Sequence, residues 1–92
     1  MSKAEGQRIH AKRRALERYG VEFNREDLDR IIQQIRSKTR SISYFRITNR
    51  LSLHKVFYEN IDVPLFVVYD KSRGTIATFL TQAMALDKVY DE

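Results

Sequence analysis

The sequence predicts an α+β fold in which two N-terminal helices pack on one face of a four-stranded, mainly antiparallel sheet. Three observations predict it. Apolar residues recur at helical spacing over residues 7–36, whereas apolar and polar residues alternate from Ser41 onward. The strand-like segments follow one another through connections of hairpin length, which favours antiparallel neighbours rather than helical crossovers.

The first helix is predicted over residues 7–19, after a frayed and polar start. Its apolar arc is expected to hold Ile9, Ala11, Ala15, Leu16 and Tyr19, and its polar arc His10, Arg13, Arg14, Glu17 and Arg18. Gly20 then suits a left-handed C-cap, because glycine adopts positive φ without steric cost.

The second helix is predicted over residues 25–36. Asn24 is a favourable N-cap, and Glu26 and Asp27 lie in the first turn, where the helix dipole favours negative charge. The apolar stripe of this helix consists of Leu28, Ile31, Ile32 and Ile35.

Four strands are predicted, over residues 41–48, 51–58, 63–69 and 75–80. In the first, Ile42, Tyr44 and Arg46 are expected on one face; in the second, Leu51, Leu53, Lys55 and Phe57 share a side. The residues from Asp70 to Gly74 carry a strong turn signal. Residues 81–92 are expected to form a short helix or a tail.

The length of 92 residues suits one domain, with an ordered core over about residues 7–80. The absence of cysteine excludes disulfides, thiolate chemistry and cysteine-bound zinc. With two histidines, neither a metal site nor a cofactor is expected. The sequence has no apolar run of membrane-spanning length and no secretory signal. We therefore expect a cytoplasmic protein without a membrane partner.

Positive charge is concentrated in the N-terminal part of the chain. The net charge is +5, with 13 Lys or Arg against 6 Asp or Glu in residues 1–50, and 4 against 6 in residues 51–92. Such a distribution attracts a polyanion, and nucleic acid is the commonest candidate. The alternative is a charge that serves solubility alone.

The spacing His10-x-x-x-Arg14-x-x-x-Arg18 forms a slanting row on a helix. Histidine can move a proton near neutral pH, and arginine binds two phosphate oxygens at once. In RNA the 2′-hydroxyl supplies the nucleophile, so a protein needs only proton transfer and phosphate stabilisation to cleave it. His10 could instead be an ordinary surface histidine. The two arginines could pair with Glu17 and Glu22 or cap the helix dipole.

The run from His10 to Gly20 resembles the opening helix of small phage and bacterial domains in the RelE-like and colicin-like ribonuclease superfamily, the barnase–EndoU–colicin–RelE fold. Residues 67–80 resemble the final hairpin of those domains, where a Thr or Ser lies in the last strand. The resemblance covers about residues 8–80, and the segment 41–58 has no counterpart in it. It implies a metal-independent endoribonuclease, toxin-like or used by a phage against its host, or a relative that lost catalysis.

Position by position, the resemblance implies catalytic roles for His10, Arg14, Arg18 and Thr78. Thr78 could equally be an ordinary strand residue, and His54 is interpreted as an ordinary strand histidine. The residues expected to contact nucleic acid are Lys12, Arg13, Tyr44, Arg46, Arg50, Tyr69, Lys71 and Arg73. For the tyrosines, packing in the sheet is the alternative.

The expected partner is RNA, with tRNA and mRNA both open, and an antitoxin or a host protein is a further candidate partner. A phage-encoded protein would act in the host cytoplasm. The alternative function is a non-catalytic module that binds nucleic acid or a host protein on the same fold. The sequence leaves the oligomeric state open.

Overall fold

A computed structural model describes residues 2–87 of the chain. Its elements are α1 (Lys3–Tyr19), α2 (Arg25–Ser37), β1 (Ser41–Arg46), β2 (Leu51–Val56), β3 (Leu65–Asp70), β4 (Thr75–Leu80) and α3 (Gln82–Leu86). The two N-terminal helices pack on a four-stranded antiparallel sheet, which confirms the predicted α+β fold. Of the predicted C-terminal helix or tail, α3 is a short helix, and residues 88–92 lie outside the described part.

The sheet is a meander in the order β1-β2-β3-β4. Its register defines two faces. The helix face includes the cross-strand row Ser43–His54–Val67–Phe79, and the second face includes the row Phe45–Leu53–Val68–Thr78. The turns after β1 and β3 lie at one end of the sheet, which we call the turn end. The connection between β2 and β3 lies at the opposite end.

Helix α1 begins at Lys3, four residues before the predicted start, so the expected frayed beginning is wrong. The cause is Ser2, whose side chain accepts a hydrogen bond from the Glu5 amide at 3.1 Å and caps the helix. At the other end, Gly20 takes the predicted left-handed conformation with φ of 66°. Helix α2 begins as predicted, because Asn24 and Asp27 form a reciprocal capping box.

Helix α1 lies along β4 and straddles the edge of the sheet. Near its start Gln7 bonds to Thr75, and near its end Arg18 bonds to Phe79, so helix and strand run side by side. Ala11 and Ala15, both 0% exposed, face the strand. Small side chains let the helix approach β4 closely enough for it to cover that strand's open edge.

The predicted apolar arc of α1 is therefore partly wrong. Ile9 and Leu16 are 47% and 52% exposed, whereas His10, Arg14 and Arg18 are half-buried. The close approach through alanine turns the helix so that its larger aliphatic residues point away from the sheet. The long polar side chains instead reach over the edge of the sheet, where their apolar stems can be covered.

The sheet buries apolar residues on both faces. On the helix face, α2 supplies Leu28, Ile31, Ile32 and Ile35, as predicted. On the second face, Leu53, Phe66 and Val68 pack with residues of α3 and the β1 region. Burial on both faces explains why β3 and β4 read as nearly continuous apolar runs.

Strand β1 is the exposed edge strand, and its register is irregular between Ser43 and Phe45. This bulge at Tyr44 moves Arg46 opposite Ser52, on the helix face, while Ile42 lies opposite Lys55 on the second face. The expectation that Ile42, Tyr44 and Arg46 share one face is therefore wrong. A bulge adds one residue and reverses the alternation beyond it, which a period of two does not anticipate.

Candidate functional site

Three polar residues of α1 form a stripe along the second-face side of β4. Gln7, His10 and Arg14 follow the spacing i, i+3, i+7, which places them on one flank of the helix. Gln7 fixes the direction of this flank, because it bonds to Asp70 at 3.0 Å and to Thr75. Both partners belong to a cross-strand row of the second face.

Two predicted catalytic atoms on this side are buried without a hydrogen-bond partner in the described structure. They are His10 Nε2 and Thr78 Oγ1. Thr78 is 0% exposed and belongs to the second-face row with Val68. A buried polar atom without a partner costs about 1–3 kcal/mol, and a catalytic or ligand-binding role is one explanation for such an atom. We call His10, Arg14 and Thr78 the seam site, after the seam between α1 and β4.

The two arginines of the predicted row have protein partners. Arg14 Nη1 lies 2.9 Å from a Glu17 carboxylate oxygen, the pairing that the sequence left open as an alternative. Arg18 Nη1 donates to the Phe79 carbonyl at 2.8 Å, and Arg18 also lines a cavity of about 330 Å³ beside Pro64. Arg18 thus closes the β4 edge, and any phosphate contact by it would compete with that bond. Both guanidinium groups of the predicted row therefore bond to protein atoms.

Several predicted nucleic-acid contacts gather at the turn end of the sheet. The Lys71 amide donates to the Arg50 carbonyl at 2.8 Å and joins the two turns. Arg50 and Arg73 both approach Asp70 Oδ2, at 3.7 and 4.0 Å. Arg46 is exposed at the end of β1, one residue before the first of these turns. We call the surface made by Arg36, Arg46, Arg50, Lys71 and Arg73 the basic turn end.

Asp70 organises this end of the molecule from a fully buried position. Burial by itself would raise the pKa of Asp70. Hydrogen bonds from Gln7, from Ser72 and from the Arg73 amide outweigh this effect, together with the charge of Arg50. The net result is a lowered pKa of Asp70. The carboxylate therefore stays ionised and links the turn to the seam through Gln7. Its single charge leaves the surrounding cations in excess.

Arg36 is a cation of this surface that is not among the predicted contact residues. Its Nε donates to the Tyr69 hydroxyl at 3.0 Å. Gly74 has φ of 64°, and a Cβ there would stand 3.1 Å from Arg36 Nη2, so the glycine leaves room for the guanidinium. Tyr69 is only 7% exposed. It positions Arg36 rather than offering an open ring face to a base.

A histidine network lies on the helix face of the sheet, farther from the turns than the basic turn end. His54 is 7% exposed, with Nε2 at 2.8 Å from Ser52 Oγ and Nδ1 at 3.3 Å from Ser43 Oγ. Burial, and secondly the charge of Lys71, lower the pKa of His54. Its ring meets that of Tyr69 edge-on at 6.3 Å. The imidazole is therefore neutral at neutral pH and bridges β1 and β2.

The remaining predicted contacts lie elsewhere. Tyr44 is 41% exposed on β1, with its ring 5.6 Å from that of Phe66. Arg13 is exposed on the outer side of α1, and Lys12 lines a groove between α1 and α2.

The sequence does contain a signal for Arg36, which was not among the predicted contacts. Between Asp29 and Glu59 the chain has seven Lys or Arg and no acidic residue.

The opposite end of the sheet has a different charge balance. There Arg30 lies near carboxylates of Glu26, Asp27 and Glu59, at 3.8 to 3.9 Å. Tyr58 donates to Asp27 at 2.8 Å. Arg30 thus has acidic partners, whereas the five cations of the basic turn end outnumber the single carboxylate of Asp70. We therefore expect a polyanion to approach the basic turn end.

Within residues 2–87 no group of three His, Asp or Glu side chains is arranged to hold a metal ion. None of the helices described is both long and apolar enough to cross a bilayer. The sequence matches no protein-family model, and neither a curated protein nor a solved structure is significantly similar to it.

Proposed function

We propose that the protein is a metal-independent endoribonuclease that binds RNA at the basic turn end and cleaves it at the seam site. The observation that carries the proposal is the presence of His10 Nε2 and Thr78 Oγ1 as buried atoms without partners on one side of β4. Gln7 and Asp70 connect this seam directly to the cationic surface. We further propose that the protein acts in the cytoplasm, which is the host cytoplasm if a phage encodes it.

In the proposed reaction the RNA 2′-hydroxyl attacks the adjacent phosphorus. The 2′-proton leaves to a base, and the 5′-oxygen departs with a proton from an acid. His10 would serve one of these steps and a water molecule the other. Arg14 would stabilise the charge on the phosphorane after leaving Glu17, and Thr78 would support the site from its buried position. The products would carry a 2′,3′-cyclic phosphate and a 5′-hydroxyl. Arg18 would support the site by holding β4.

The test is RNA cleavage in excess EDTA, with product ends identified by mass spectrometry. We expect His10→Gln and Thr78→Val to lose at least about a hundredfold in rate, as is usual when a proton-transfer or hydrogen-bonding group is removed. Lys55 lies on β2, two strands away from the seam at β4, so Lys55→Gln should cleave RNA at the wild-type rate. Cleavage by His10→Gln at the wild-type rate would remove His10 from the mechanism.

A second function is favoured by the engagement of Arg14 with Glu17 and of Arg18 with the Phe79 carbonyl. Arginines held in this way leave the basic turn end as a binding surface without chemistry. The protein would then be a non-catalytic module for RNA, and a small acidic antitoxin or host protein could compete for the same surface. Salt-sensitive RNA binding with no cleavage product in the same assay would identify this function.

A further inference from the structure

A groove lies between the first half of α1 and the start of α2. Its volume is about 250 Å³, and its lining consists of Glu5, Arg8, Ile9, Lys12, Arg25 and Leu28. The spacing Glu5, Ile9, Lys12 places these α1 residues on one side of the helix, away from the seam site. The groove is therefore a feature separate from the candidate catalytic atoms.

The groove carries an excess of positive charge. Within residues 2–87, none of Arg8, Lys12 and Arg25 forms an ion pair, and Glu5 is the one acidic residue in the lining. Arg25 is the first residue of α2, where the helix dipole disfavours a cation. Arg8 and Lys12 are like charges one turn apart, which also repel. A bound anion would relieve both of these unfavourable interactions together.

The groove also has an apolar part. Leu28 is 1% exposed and belongs to the core, whereas Ile9 is 47% exposed on the rim. An aliphatic surface beside cations suits a ligand that joins a phosphate to a flat apolar group. A nucleotide has this combination, because its base can pack against apolar side chains while arginine binds its phosphate.

The position of the groove connects it to the basic turn end. Arg8 follows Gln7 in α1, and Gln7 bonds to Asp70 and Thr75 at the turn after β3. An RNA strand bound to the basic turn end therefore meets the start of α1. From there the groove lies on the side of α1 that faces α2, and the seam site lies on the side that faces β4.

We infer that the groove between α1 and α2 is a nucleotide-binding subsite, in which Arg8, Lys12 and Arg25 hold a phosphate while the exposed Ile9 contacts the attached nucleoside. This inference rests on the proposed function, since it makes the ligand one nucleotide of the bound RNA. A free mononucleotide has the same chemistry, and the experiment separates the two sources.

The experiment follows backbone amide resonances of isotope-labelled protein during titration with AMP, inorganic phosphate or a short RNA. The variant is Arg25→Glu, and the matched control is Lys3→Glu, which makes the same reversal at the first residue of α1. A glutamate in a first helical turn favours the helix, so both variants should remain folded. We expect AMP and RNA to shift the Arg8, Lys12 and Leu28 resonances in wild type and in Lys3→Glu.

In Arg25→Glu the affinity for AMP should fall at least about tenfold, because a like charge then faces the phosphate. The slope of log K against log salt for RNA should shrink by about 0.7 relative to Lys3→Glu, the value for one lost phosphate contact on a single strand. If these amide resonances shift with RNA but not with AMP, the subsite is supported and its ligand is a nucleotide within an RNA strand.

Other results would overturn one claim or both. Equal RNA affinity and salt slope in Arg25→Glu and Lys3→Glu would refute the subsite and leave the proposed function standing. Inorganic phosphate binding as tightly as AMP would refute the nucleoside contact. AMP binding at the groove without RNA binding would refute the proposed function and keep the groove as a site for free nucleotides. Binding of neither would refute both.

Discussion

The hydroxyl of Tyr19, at the end of α1, joins that helix to two neighbouring strands. It donates to the Leu80 carbonyl in β4 and accepts from the Phe66 amide in β3 at 3.0 Å. Because Phe66 and Leu80 are cross-strand partners, one side chain satisfies both strands where their pairing ends. The preceding residue, Arg18, satisfies the adjacent Phe79 carbonyl at 2.8 Å. Helix α1 is therefore fixed to the sheet by two consecutive polar residues.

Replacing Tyr19 with phenylalanine should lower the free energy of unfolding by about 1–3 kcal/mol, because the Leu80 carbonyl and the Phe66 amide lose their partner. The ring would keep its edge contact with Phe79, at 6.5 Å between centroids. Urea denaturation measures the change. Tyr44→Phe, which alters an exposed tyrosine, should stay within about 0.5 kcal/mol of wild type. Equal losses in the two variants would contradict the bridging role.

The same tyrosine should make stability depend on alkaline pH. Burial raises the pKa of Tyr19, despite the Phe66 amide and the Arg18 charge, which lower it. The unfolded chain then releases this proton at lower pH than the folded one, so stability falls as pH rises above about 10. Unfolding measured between pH 9 and 11 should show a weaker decline in Tyr19→Phe.

Arg18→Met should lower the free energy of unfolding by about 2 kcal/mol, because the Phe79 carbonyl loses a charged donor while the apolar stem is kept. Arg13→Met, an exposed change on the same helix, should have little effect on stability. Thermal unfolding of both variants provides the comparison. If Arg18→Met were as stable as Arg13→Met and lost only RNA affinity, Arg18 would be a phosphate ligand and not a structural residue.

Thr78→Val and Thr75→Val make the same change on one strand and should have opposite effects. The Thr78 hydroxyl is buried without a partner, so an equally sized valine should stabilise the protein by about 1 kcal/mol. The Thr75 hydroxyl donates to Gln7, so valine there should destabilise the protein by a similar amount. Denaturant unfolding decides both signs. Destabilisation by Thr78→Val would mean that its hydroxyl has a partner.

Stability should also fall in mild acid because of His54. Its pKa is lowered by burial first and by the charge of Lys71 second, so the folded state binds this proton less readily than the unfolded state. The contribution is fully present above the unfolded value of about 6.5 and is lost as pH falls through the folded value. His54→Gln should flatten the dependence between pH 7.5 and 5.

Lys71→Gln should weaken the same dependence, because it removes the second cause of the shift. Lys55→Gln is the matched control, since Lys55 lies on the second face. A profile for His54→Gln as steep as that of wild type would assign the acid sensitivity to other groups.

Local signals in the sequence determined the elements and their order. The box of Asn24 and Asp27 fixed the start of α2, Gly20 ended α1, and alternation located the strands, because capping and side-chain periodicity act within a few residues. The helix start at Ser2 carried the same kind of signal, a serine three residues before Glu5.

Only the tertiary structure decided which surfaces these elements present. The alanines of α1 settle against β4 and turn Ile9 outward, and a bulge at Tyr44 moves Arg46 to the other face; both outcomes depend on contacts between distant segments. The chain encodes the cations of the basic turn end far apart, and the register of the meander brings Arg50 and Lys71 together. Long-range packing and strand register, which local periodicity does not contain, therefore built the candidate site.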